Sequence, residues 1–256
     1  MAKPTTRLAR STADRIEIRG LSLADDLIGT VDFTTMVLFQ MTGRMASPAE
    51  RKVLDAVLVS LVEHGFTPSA LATRLTYLGA PESLQAAVAA GLLGAGSGFL
   101  GSMEDCARLL QEGVQQVQAG TADGVSYCRE VVDRHRQEGK VLPGFGHPVH
   151  KRVDPRTLVL LGLAARNGLR GPHAELLDTL SIVLDEVVGR PLTVNATAAV
   201  AAVLSDLALP AGIVRGFALI ARCAGLVGHV LEEQSAPVAR ELWHMAETQF
   251  EYQRPE

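Results

Sequence analysis

The segment Leu142-Pro143-Gly144-Phe145-Gly146-His147-Pro148-Val149-His150-Lys151 carries the densest chemistry in the chain. Two glycines around an aromatic residue free the backbone to approach a ligand, while His147, His150 and Lys151 gather a titratable base and positive charge. A loop of this kind can offer main-chain groups to a base or phosphate and an imidazole to a carbonyl; a solvated surface turn fits the composition equally well. Zinc is a third use for His147 and His150, but no third ligand lies nearby at the required spacing. Arg156, in Asp154-Pro155-Arg156, stands at a helix start, where free N–H groups favour an anion and a guanidinium can grip a carboxylate with two parallel bonds. The alternative is that it pairs with its own Asp154. His64, in Glu63-His64-Gly65, sits between two helices, the place of a capping group or of a catalyst. Arg222 and His229 are about two helical turns apart on the apolar stretch Phe217 to Val230 and so share a side. A partner helix, a carboxylate or a ligand must satisfy them there.

Helices have to position these groups. Ser47-Pro48-Ala49-Glu50 is a complete helix start, with a hydroxyl cap, a proline where no N–H is needed and a glutamate reaching back. Val53, Leu54, Val57, Leu58, Leu61 and Val62 then form one buried stripe. Thr67-Pro68 and Asp154-Pro155 repeat the device, and apolar spacing predicts further helices over about 104–118, 123–138, 173–189, 196–208 and 211–234. Strand signal is confined to the alternation from Arg15 to Gly20, which suggests one short ribbon. The fold class read from this punctuation is all-α.

Composition narrows the function further. The 256 residues are 47% hydrophobic and 20% charged, enough for a substantial core, and a net charge of −4 with scattered lysines and arginines gives no nucleic-acid surface. Anionic small molecules remain open as partners. Cys106, Cys128 and Cys223 are odd in number and far apart, which suits a reduced, cytoplasmic setting. The basic start runs into Ser-Thr-Ala-Asp-Arg instead of a secretory apolar region. The uncharged run Ser83 to Met103 is long enough to span a membrane but is broken by five glycines, so no membrane partner is expected. Gly96 to Gly101 matches a dinucleotide fingerprint, yet an Ala/Leu helix pattern precedes it and the acids Glu104 and Asp105 come too early.

Taken together, these segments resemble the citrate synthase superfamily, and within it the short lyase-type members and the citryl-CoA-cleaving module of ATP-citrate lyase. The resemblance starts near Leu27. It runs through Thr42-Gly43-Arg44-Met45, Glu63-His64-Gly65 and the glycine-rich stretch from Gly91 to Gly101. The most specific segment is Pro143-Gly144-Phe145-Gly146-His147 to Asp154-Pro155-Arg156, and Ala221-Arg222 through Glu233 resembles the family's closing helix. The fold this implies is a large helical domain, 1–99 and 204–256, with a smaller helical domain inserted at 100–203, in a homodimer.

By the same resemblance, His64, Arg156, Arg222 and Arg240 would surround a di- or tricarboxylate such as oxaloacetate or citrate, Arg240 coming from the other subunit. His147 would act on the carbonyl or tertiary hydroxyl oxygen. Leu142, Pro143, Gly144, Phe145 and Gly146 would hold the adenine of CoA, with Lys151 or Arg152 near its phosphates. CoA enters as a thioester substrate; no cofactor and no metal is implied. Two departures stand out. Phe99 replaces the histidine that synthases use to stabilise the acetyl-CoA enol, and the family's catalytic aspartate falls at Val194-Asn195-Ala196-Thr197, where only Asn195 and Thr197 offer hydrogen bonds. The implied function is therefore a lyase that cleaves citryl-CoA, or a similar 3-hydroxy-3-carboxyacyl-CoA, to acetyl-CoA and oxaloacetate. A citrate or 2-methylcitrate synthase-like acyltransferase and a catalytically silent protein that binds citrate and CoA are the alternatives.

Overall fold

The computed structural model describes residues 3–146 and 154–255. Its contacts fall into two units, 1–55 and 56–256. In the first, β1 (Ala9–Ser11), β2 (Ile16–Ile18) and β3 (Leu21–Ser22) form an antiparallel meander in the order β1-β2-β3, with Ala9 opposite Ile18 and Ile18 opposite Leu21. The sequence suggests a single ribbon because β1 is exposed throughout and carries no apolar alternation. A π-helical turn, Leu23–Leu27, leads to α1 (Phe33–Thr42). The Asp32 side chain caps α1 at its start, and the Arg19 guanidinium donates to the Gln40 and Met41 carbonyls at its end. The helix α2 (Pro48–Leu61) opens with the reciprocal bonds foreseen from sequence, Glu50 N to Ser47 Oγ at 3.2 Å and Ser47 N to Glu50 Oε2 at 2.9 Å.

The second unit is helical among its described residues: α3 (Pro68–Gly79), α4 (Leu84–Leu93), α5 (Ser102–Gln118), α6 (Gly124–Gln137), α7 (Pro155–Arg166), α8 (Pro172–Val188), α9 (Ala196–Asp206), α10 (Ala211–Ser235) and α11 (Ala239–Gln249). At its centre lies α9, buried continuously from Ala198 to Ser205; its run of alanines lets α5, α7 and α8 pack closely around it. The long helix α10 packs on α3, α4 and α5. It is apolar and long enough to cross a bilayer, but it buries Arg222 and Glu233 within the unit. Between α4 and α5 the chain makes a π-helical turn, Ser97–Gly101, that runs directly into α5. The spacing analysis does not foresee α11, because Ala239 is its one buried residue and it has no inward apolar stripe to read.

Candidate active site

A cavity of about 500 Å³ opens among α3, α7, α9, α10 and the loops that join them. One wall is apolar, built from Leu61, Pro68, Ala95, Phe99 and Leu100. Facing it are His64, Arg156, Arg222, Asn195 and Thr197, with Gly146 at the edge. A mostly apolar pocket with a few convergent polar groups is the usual architecture of a small-molecule site.

Arg222 reaches this cavity from α10 and is only 7% exposed. It makes no hydrogen bond or ion pair among the described residues, and the attraction of the Glu63 carboxylate offsets its charge only in part. Burial pulls its pKa below the ordinary arginine value; the Glu63 carboxylate opposes that shift and the positive Arg156 adds to it. Arg156 is held differently. Its Nε and one terminal nitrogen lie 3.1 and 2.9 Å from the two oxygens of Asp154, whose side chain is fully buried. Arg156 thus pairs with its own aspartate and also lines the cavity. The pair is neutral overall, whereas Arg222 has no such direct partner among the described residues.

Asp154 has further duties. It accepts the Arg156 N–H at the start of α7, and its Oδ2 accepts the Ala196 N–H at 3.0 Å at the start of α9. Burial alone would raise its pKa, but the Arg156 guanidinium and these two amides hold it below the ordinary aspartate value. A carboxylate therefore lies directly behind Ala196. Sequence analysis reads Asp154 only as a helix cap and Arg156 partner, and nothing in the spacing brings it to position 196.

The remaining donors at the start of α9 are also occupied. Asn195 Oδ1 accepts the N–H groups of Thr197 and Ala198 at 3.1 and 3.3 Å and the Thr197 hydroxyl as well. Asn195 Nδ2 donates to Gly146 O at 2.9 Å, and Asn195 N to Gly144 O at 3.0 Å. These bonds, with Gly146 N to Thr193 O at 2.7 Å, lay the Leu142–Gly146 loop along residues 193–195. Asn195 and Thr197 thus spend their hydrogen bonds on capping the helix and anchoring the loop. Asp206, a remote candidate for the missing carboxylate, is committed at the far end of α9. It accepts from the N–H groups of Gly171, His173 and Ala174 at the start of α8.

A second cavity of about 640 Å³ lies along the other side of the same loop, sharing Ser102 and Asn195 with the first. Leu142 to Phe145 line it together with Arg108, Arg134 and Lys140. These three cations escape sequence analysis because each sits beside a glutamate, Glu104, Glu130 or Glu138, and looks like a solvated surface charge. Arg240 belongs to neither cavity. It lies exposed on α11, by a shallow apolar groove formed with Leu75, Leu78 and Trp243. His147, His150, Lys151 and Arg152 lie outside the described residues.

Known proteins share the fold and family of this chain. The family described as "Citrate synthase, C-terminal domain" matches residues 10–243. The chain is 28% identical over 211 residues to the citrate synthase of Synechocystis sp., covering 80% of this chain and 50% of that one. It spans about half the length of the sequence relatives it matches. Among solved structures, the citryl-CoA lyase from Hydrogenobacter thermophilus superposes with a TM-score of 0.87 at 30% identity, covering 98% of this chain and 95% of that one. The ATP citrate lyase from Methanothrix soehngenii, in complex with citrate and coenzyme A, gives a TM-score of 0.75 at 21% identity, covering all of this chain and 43% of that one.

Proposed function

Because the chain belongs to the citrate synthase family, we propose that it is a carbon–carbon lyase that cleaves citryl-CoA, or a similar 3-hydroxy-3-carboxyacyl-CoA, to acetyl-CoA and oxaloacetate. The observation that carries this reading is Arg222, buried and without a hydrogen bond among the described residues, opening on a cavity that also holds Arg156 and His64. Such a cluster suits an acid with several carboxylates. The near full-length likeness to a citryl-CoA lyase supports the direction of the reaction.

In this proposal Arg222, Arg156 and His64 bind the carboxylates, and Arg240 of a partner subunit completes the set in a homodimer. The loop Leu142–Gly146 holds the adenine, and Lys151 or Arg152 faces the phosphates. His147 takes the proton of the tertiary hydroxyl. As the oxygen becomes the ketone of oxaloacetate, the carbon–carbon bond breaks and its electron pair moves onto the thioester as an enolate. That enolate takes a proton at carbon to give acetyl-CoA. Closure of the 100–203 segment over the cavity keeps water from the enolate. The setting we assign is cytoplasmic.

Ala196 favours one second reading, a protein that holds citrate and CoA without turnover, since neither Ala196 nor Phe99 can move a proton. For the same reason a synthase has less support. Purified protein given citryl-CoA decides among them. Release of oxaloacetate, abolished in His147→Ala, is the outcome expected of the lyase. Tight binding of citrate and CoA with no product indicates the silent binder, and activity surviving in His147→Ala removes the role given to that histidine.

A further inference from the structure

Behind the cavity, a line of buried polar side chains runs from α11 to the turn that carries His64. Arg74, on α3, is fully buried. It donates from one terminal nitrogen to Glu233 Oε2 at 2.6 Å, from the other to Glu232, and from Nε to His229 Nδ1 at 2.9 Å. The second oxygen of Glu233 accepts the N–H groups of Val238 and Ala239, at 2.9 and 2.8 Å, and so caps α11. His229 Nε2 is buried and stands 3.0 Å from Glu63 Oε2, an ion-pair distance, without a hydrogen bond to any described residue. Glu63 Oε1 in turn accepts the N–H groups of His64 and Gly65, at 2.8 and 2.6 Å.

The direction of the bonds at Arg74 and at the turn is fixed. A guanidinium can only donate, so His229 Nδ1 must accept and the imidazole proton must lie on Nε2, toward Glu63. The two amides of the turn can only donate as well. Glu63 therefore takes two amide protons on Oε1 and turns Oε2 toward the His229 Nε2–H 3.0 Å away, so both of its oxygens face donors. We propose that Glu63 is the positioning residue of this site. Through the donor sequence that starts at Arg74 and passes through His229, it fixes the turn that presents His64 to the cavity, and it takes no part in contact with substrate. The inference rests on reading the cavity as a polycarboxylate site.

Glu63→Gln preserves shape but not polarity. Whichever way the amide turns, its NH2 group faces a donor, either the imidazole Nε2–H or the two backbone amides. His229→Gln keeps the polarity, with its oxygen toward Arg74 and its NH2 toward Glu63, whereas His229→Leu breaks it. Citrate affinity, measured by calorimetry, is expected to fall about tenfold in Glu63→Gln and in His229→Leu, and to recover most of that loss in His229→Gln. A purely electrostatic role predicts the opposite sign: removing a negative charge that faces Arg222 would tighten anion binding. Unchanged or tighter binding in Glu63→Gln thus overturns the proposal. Imidazole nitrogen NMR provides an arm that needs no ligand. The wild type should show His229 as the Nε2–H tautomer that Arg74 imposes, and Glu63→Gln should keep that tautomer but shift the Nε2–H resonance, because the carboxylate 3.0 Å away is gone. If the wild type binds no citrate, the polycarboxylate reading fails and the imidazole spectrum alone decides the Glu63 assignment. An Nε2–H resonance identical in Glu63→Gln and wild type then rejects it.

Discussion

Arg222 and Asp154 are opposite cases of a buried charge, and each allows a test. Arg222 is buried with no carboxylate hydrogen-bonded to it among the described residues, and the Glu63 attraction offsets only part of its desolvation, so the folded protein bears the rest until an anion arrives. Arg222→Met should therefore weaken citrate binding by about a hundredfold while the thermal midpoint stays the same or rises. Calorimetry of binding and of unfolding measures both, and a lower midpoint with affinity retained would contradict the assignment. Asp154, in contrast, is joined to a guanidinium and two amides. Asp154→Asn should cost about 3 kcal/mol, since it leaves Arg156 partly uncompensated. The sign with pH follows from the depressed folded pKa. The unfolded chain takes up the Asp154 proton first as pH falls, so the stabilisation is complete above the unfolded value of about 4 and disappears as pH drops through the lower folded value. The gap in midpoint between wild type and Asp154→Asn should accordingly shrink on titration from pH ~7 to pH ~3. The need for a partner at Arg222 was legible in the sequence, because a charge on an apolar helical face demands one. The reach of Asp154 to Ala196 was not, because it depends on two helix starts meeting in space.

Helix starts were the most legible feature at the level of elements, since caps write them into adjacent residues. Thr67, Asp123, Asp154 and Asn195 all accept N–H groups from the first turn that follows them. Contacts between elements leave a fainter trace, and Gly144 shows why. Its φ of +91° is a left-handed conformation, and a Cβ there would lie 2.7 Å from Ala198 Cβ and 3.0 Å from Cys106 Sγ. The glycine therefore serves a loop that turns tightly and also rests against α9. The first requirement can be guessed from a Gly-Phe-Gly pattern, whereas the second needs the fold. Gly144→Ala should lift the loop from α9 and break the bond from Asn195 N to Gly144 O. The expected result is a loss of about 1–3 kcal/mol in stability. CoA affinity should fall by at least about tenfold while citrate affinity, set mainly by Arg222, changes little. Isothermal titration with each ligand separates the two effects, and equal losses would show that the loop does not belong to the CoA side of the site.

For the molecule as a whole, Arg240 poses the sharpest question. It is exposed on α11, outside the cavity that contains Arg156 and Arg222 of its own chain, so it can serve a carboxylate only in another copy. Sequence resemblance supplies that expectation, and mixing two inactive variants tests it. In a dimer with shared sites, one chain carrying Arg240→Ala and one carrying Arg222→Met assemble one intact site and one doubly defective site. Random pairing makes half of the dimers mixed, so about a quarter of wild-type activity should return when the two variants are refolded together. Neither variant alone should show it. Failure to recover activity, with exchange of subunits confirmed by mass, would confine Arg240 to the surface of its own chain and leave the binding of the acid to Arg222, Arg156 and His64.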